Sequence, residues 1–155
     1  FMLKRFLVGV TSAIALGSFS ISSEANAALK GNLTIAIEGL RSQRGQICLT
    51  LFDSSQGFPS KSDRAVQAQC IRLNGTPPTI TFRNLKTGSY AVAVIHDTNG
   101  DGNLNRNAIG IPTEGFGFSR NPRIVTGPPK FSDAAVIVVG AKTDIQIRLQ
   151  YFLGG

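Results

Sequence analysis

One stretch of the chain concentrates side-chain oxygens. Asp97, Asn99, Asp101, Asn103 and Asn105 stand at alternate positions, with Gly102 after the third of them. Alternating hard donors around a sharp glycine turn can aim several ligands at one centre, which is the chemistry of a calcium loop. The spacing follows the D-x-[DN]-x-[DN]-G pattern, and Asn103 would offer a backbone carbonyl. The bidentate Glu that closes a helix–loop–helix hand at loop position twelve is replaced here by Ala108, so an EF-hand is excluded on ligand count. Glu114 or a distant carbonyl would have to complete the shell. With two carboxylates, affinity is expected in the weak range of extracellular modules. Asn-Gly and Asp-Gly also form tight turns without any metal, and a bare polar turn is the alternative.

A second candidate segment is Gly110–Ser119, where Glu114, Phe116 and Phe118 lie among glycines. It reads as a ligand-contact loop with aromatic platforms, or as a loop that folds its rings back onto the domain, since Phe is usually buried. His96 is the chain's one His and adjoins Asp97. Imidazole can act as a base or as a metal ligand. No G-x-S-x-G elbow and no H-E-x-x-H pair accompanies it, so nucleophile, base and oxyanion donors are not assembled. The expectation is therefore a protein that is not an enzyme. An envelope hydrolase using His96, Asp97 and Glu114 is the alternative, and a purely structural domain without ligand is a third reading.

The elements that must carry these segments read as strands. Leu33–Glu38 alternates with period two, and Gln46–Phe52, Val66–Leu73, Thr79–Phe82, Ser89–His96, Ala134–Val139 and Asp144–Leu149 follow. Turn residues separate them, and Ser89–His96, the most apolar, is expected at the centre. Residues 97–132 show little periodicity and exceed the length of ordinary connections. Close-spaced short strands with turns between them predict an all-β fold, a single β-sandwich of about seven antiparallel strands, Ig-like or transthyretin-like with Greek-key connections. The strands are short for an outer-membrane barrel, whose strands need about 9–11 residues.

The N-terminus predicts export. Lys4 and Arg5 precede an apolar run from Phe6 to Leu16, and Ala25-Asn26-Ala27 supplies the small-residue pattern of a cleavage site. The apolar run is too short to span a bilayer, which takes about 20 residues. Residues 1–27 are thus expected to be a signal peptide and 28–155 a single domain, periplasmic or secreted and not membrane-spanning in its mature form. The full chain carries 16 Lys and Arg against 9 Asp and Glu. Loss of Lys4, Arg5 and Glu24 would leave the mature part at a net charge of +6. The basic residues are scattered rather than clustered, which speaks for solubility and loose association. Nucleic acid is not expected as a partner, and an unknown envelope or extracellular partner is. Cys48 and Cys70 are the two cysteines. An exported chain with an even count predicts a disulfide between neighbouring strands, with two buried thiols as the alternative.

Four stretches together resemble a bacterial exported family known as domain of unknown function 2141. They are Gly45–Asp53 with Gly57-Phe58-Pro59, then Phe82–Asp97, then the Asn99–Gly102 loop, and finally Gly110–Ser119 with Gly127-Pro128-Pro129 and Phe131–Ala135. The Leu85–Tyr90 part is also similar to transthyretin-like and carboxypeptidase-regulatory-like sandwiches. That resemblance implies a sandwich fold and an accessory, mostly non-catalytic module. The cysteine pair is not part of the resemblance.

Overall fold

Leu33, Ile35 and Ile37 alternate with Thr34, Ala36 and Glu38, and this stretch forms β1 (Lys30–Glu38) in a computed structural model that describes residues 30–153. The expected signal peptide lies outside the described residues. Further strands are β2 (Gln46–Phe52), β3 (Gln67–Arg72), β4 (Thr79–Lys86), β5 (Gly88–Asp97), β6 (Gly115–Phe118), β7 (Val136–Val138) and β8 (Lys142–Arg148). Among the described residues a 3₁₀ turn covers Ser62–Arg64 and a short helix, α1, covers Phe131–Ala134.

The strands form two sheets. One has the order β4-β1-β8, and the other β3-β2-β5-β6 with β7 also paired to β5. The expected β-sandwich is present, with β5 in the interior of its sheet. Two details differ from the sequence reading. Eight strands are found rather than seven, and β1 pairs with β8 in parallel while the remaining pairs are antiparallel.

The additional strand is β6, which lies in the segment read as a loop. Its glycines explain why alternation was hidden. A Cβ on Gly115 would lie 2.5 Å from the Tyr151 ring, and one on Gly117 would lie 2.8 Å from the Ile147 side chain. The inner edge of β6 is pressed against β8 and the residues that follow it, where only hydrogen fits. The Phe residues between the glycines then share the other face.

Both faces of the five-stranded sheet are apolar. Ile47, Leu49, Leu51, Val92 and Val94 point at the three-stranded sheet and join Leu33, Ile35, Ile80 and Phe82 in the main core. Phe52, Ala91, Ala93, Phe116 and Phe118 point the other way. They form a second cluster closed by Phe58, Leu104, Ile124 and Phe131 from the long connections and α1. Ser119 ties this second layer down. Its hydroxyl donates to the Ala134 carbonyl and accepts from Val92 N–H at 2.9 Å, so α1 is fastened to β5 through one buried side chain.

Cys48 on β2 lies directly opposite Cys70 on β3, and the two form the expected disulfide. The bond closes a loop of 22 residues in sequence separation and pins the edge strand β3 to the sheet. Loop closure of this length predicts that Cys48→Ala/Cys70→Ala loses about 3 kcal/mol. Urea denaturation of the variant beside the oxidised protein measures this.

Candidate functional site

Asp97 ends β5 with its carboxylate fully buried. The chain then turns around that carboxylate. Gly100 N–H donates to Oδ1 at 2.7 Å and Asp101 N–H at 3.2 Å, while Gly102 N–H donates to Oδ2 at 2.8 Å. Gln46 on the neighbouring strand adds Nε2 to Oδ2 at 2.8 Å. Gly100 and Gly102 have φ of 79° and 78°, so their backbone reaches the left-handed region that bends the amides inward. Burial pushes the Asp97 carboxyl upward, but the Gln46 side chain and the three backbone amides more than offset it. The group is held below the usual carboxylate value.

The Asp101 carboxylate is also used within this stretch. Asp101 accepts from Asn105 Nδ2 at 2.9 Å, from Asn103 N–H at 2.8 Å and from Asn99 Nδ2 at 3.1 Å. These donors, the Asn105 amide first, hold its carboxyl below the usual value. The five residues expected as calcium ligands are therefore brought together, but around one another's N–H groups. A carboxylate offers roughly four lone-pair sites, and four donors occupy those of Asp97. As the loop stands, Asp97 has no free lone pair for a cation, and Asp101 is the carboxylate that solvent reaches. Among the described residues, no cluster of three or more His, Cys, Asp or Glu is placed to hold a metal ion. Asn105 Oδ1 is buried without a hydrogen-bond partner.

Glu114 is a second buried carboxylate. Its Oε1 accepts from the N–H and the hydroxyl of Thr98, each at 2.8 Å, and its Oε2 accepts from Asn105 N–H at 3.1 Å. It thus clamps both ends of the 98–105 turn. Beyond Asn105 the chain forms a small hairpin, with a bridge between Arg106 and Pro112 and a bond from Thr113 N–H to the Asn105 carbonyl at 2.9 Å. The two carboxylates therefore position the hairpin.

His96 is buried on the opposite face of β5 from the second cluster. Its Nε2 lies 2.9 Å from the Arg44 carbonyl and so carries the proton, because a carbonyl only accepts. Its Nδ1 lies 2.7 Å from the Tyr151 hydroxyl. Burial raises the Tyr151 phenol above its usual value against the opposing effect of Arg41, whose guanidinium sits 4.6 Å from the ring centre. His96, Asp97 and Glu114, grouped in the enzyme alternative, each spend their polar atoms on structural partners.

What the hairpin shapes is a cleft. A cavity of about 570 Å³ lies over the outer face of the five-stranded sheet. Its floor is Thr50, Ala93, Ile95, Phe116 and Phe118, beside Cys48 of the disulfide. Leu104, Arg106 and Ile111 from the hairpin form one wall, and Ile124, Pro128 and Phe152 stand elsewhere around it. Phe116 and Phe118, read from the sequence as contact residues, lie in the floor, whereas Glu114 does not line the cleft. The residues that sequence reasoning missed are Thr50, Ile95, Leu104, Arg106, Ile111 and Phe152. The available signal was apolar residues at 104 and 111 inside an otherwise polar segment.

Residues 35–146 match the family described as "Uncharacterized protein conserved in bacteria (DUF2141)", and the chain belongs to that family. No curated protein and no solved structure matches the chain significantly.

The Asp97 cradle predicts a stability effect with a defined pH dependence. Asp97→Asn keeps the shape but turns an NH₂ toward backbone donors, leaving at least one buried N–H unsatisfied. It is expected to cost about 2 kcal/mol in urea denaturation at neutral pH. Because the folded carboxyl titrates below the ordinary Asp value of about 3.9, its contribution is present above that value and is lost as pH falls through the lower folded value. The gap between the native protein and Asp97→Asn should therefore narrow only under acid conditions, below about pH 4.

Proposed function

We propose that this chain is an exported binding module of the bacterial cell envelope, which takes a small, largely apolar ligand in the cleft over its five-stranded sheet. The observation that carries this reading is the cleft itself. Its volume of about 570 Å³ falls in the range of small-molecule sites, roughly 300–1,000 Å³, and its lining combines aromatic and aliphatic side chains with a few polar groups. The lining contains no His, Asp or Glu, and its one cysteine is held in the disulfide, which suits binding rather than catalysis. Export is supported by the charged, apolar and Ala-x-Ala sequence of residues 4–27, together with a cysteine pair suited to an oxidising compartment.

Calcium would join this reading at Asp101, the exposed carboxylate of the loop. Its test is a titration followed by thermal melting. A rise in melting temperature at millimolar calcium that Asp101→Ala lacks adds the ion, through the usual linkage between ligand binding and stability. The absence of a shift leaves the loop to its own N–H donors.

The cleft is tested from its floor. Thr50 is half-buried, lies opposite Ala93 in the sheet and points into the cavity. Thr50→Phe would fill the space without disturbing the core between the sheets. A neutral fluorescent probe such as phenylnaphthylamine should bind the native protein and bind Thr50→Phe at least about tenfold more weakly, a difference of about 1.4 kcal/mol. Circular dichroism should show the same fold for both. Equal binding by the two proteins would sink the cleft as the ligand site.

A further inference from the structure

The charge that lines the cleft is of one sign. Among its lining residues the one charged side chain is Arg106, and no carboxylate is present to neutralise it. Arg106 spends Nη1 on the Gly110 carbonyl at 2.8 Å, a bond that holds the side chain across its hairpin and leaves the other guanidinium N–H groups unassigned. The guanidinium is exposed while the floor below it is apolar.

A second cavity, of about 530 Å³, shares Ile124, Gly127 and Pro128 with the first. Arg120, Arg123 and Lys130 line it against a single carboxylate, Asp133. Asp133 is already engaged by Lys130 N–H at 3.0 Å, closing the first turn of α1. The segment 124–128 is thus a thin partition between an apolar space and a cationic one. Ile109 and Val125, at 78% and 73% exposure, are apolar residues left open to solvent on the hairpin and on this partition.

From this juxtaposition we infer that the cleft ligand is an anionic amphiphile of the fatty-acid class, its chain on Ala93, Ile95, Phe116 and Phe118 and its carboxylate at Arg106. The inference rests on the cleft being the ligand site. A carboxylate accepts two parallel N–H bonds from a guanidinium, so a fixed arginine at the rim sets the ligand's direction. The cations beyond the partition, set against Asp133 alone, add to the positive potential around the cleft. A neutral ligand would leave the remaining Arg106 N–H groups to water, and a cationic one would be repelled by the guanidinium.

The experiment displaces phenylnaphthylamine from the purified protein with dodecanoate and with dodecanol. Binding of the probe, and its loss in Thr50→Phe, establishes the cleft independently of head-group chemistry. Dodecanoate should then compete about tenfold better than dodecanol, in line with a charge-assisted hydrogen bond. Arg106→Gln should erase that preference while keeping probe binding, and Arg106→Lys should retain part of it. Equal competition by acid and alcohol overturns the inference and leaves the cleft standing. A preference that survives Arg106→Gln overturns the assignment to Arg106. Displacement by phosphatidylglycerol vesicles but not by free dodecanoate overturns the monomeric ligand in favour of a membrane surface.

Discussion

The five-stranded sheet is apolar on both faces, and the other sheet can cover only one of them. The inner face is satisfied in the ordinary way of a sandwich, by Ile and Leu side chains from β1, β4 and β8. The outer face has no third sheet to meet. Its Phe52, Phe116 and Phe118 must be shielded by whatever the connections supply, because an open patch of this kind is an aggregation hazard. The long connections after β2, β5 and β6 are therefore a second layer of the domain, with Phe58, Leu104, Ile124 and Phe131 as its contribution to packing.

A cover made of loops has a problem that a sheet does not: its backbone polar groups have no ladder to join. Here buried carboxylates take the place of a ladder. Asp97 collects amides from three consecutive loop residues, and Glu114 fixes Thr98 and Asn105 across the turn. Both acids lie next to strand residues, so the rigid sheet dictates where the loop goes. Ser119 plays the same part for the other half of the cover. Such a cover is held at a few points rather than along its length, and the cleft is the space between those points.

This division explains what was legible in the sequence. Leu33–Glu38, which alternates cleanly, was placed inside β1 because period two is a local property of the chain. β6 was hidden because its alternating partners are glycines, and the reason for them lies in Tyr151 and Ile147, over 29 residues away. The oxygen-rich loop was legible as a constellation but ambiguous in role. Alternating Asp and Asn around glycine can converge on a cation, and the same residues can instead present acceptors to their own amides. The choice depends on Gln46 and on the burial of Asp97, which are tertiary facts. The cleft was legible only at Phe116 and Phe118, since Thr50, Ala93, Leu104 and Phe152 come from four separate parts of the chain.

The glycines of β6 connect the two halves of the molecule. Gly115 and Gly117 let β6 sit close to Tyr151 and Ile147, and the bonds between Phe116 and Gln150, at 3.0 and 2.7 Å, tie β6 to the chain just beyond β8. The two sheets are thereby joined along one edge by backbone hydrogen bonds as well as by side-chain packing. That seam fixes Phe116 and Phe118 as a rigid floor while the opposing wall remains loop. It also places Phe152 at 5.1 Å from the Phe116 ring centre, so the chain that follows β8 reaches the rim of the cleft. The cleft thus pairs a floor built on strands with a wall built from a hairpin that buried carboxylates hold in place.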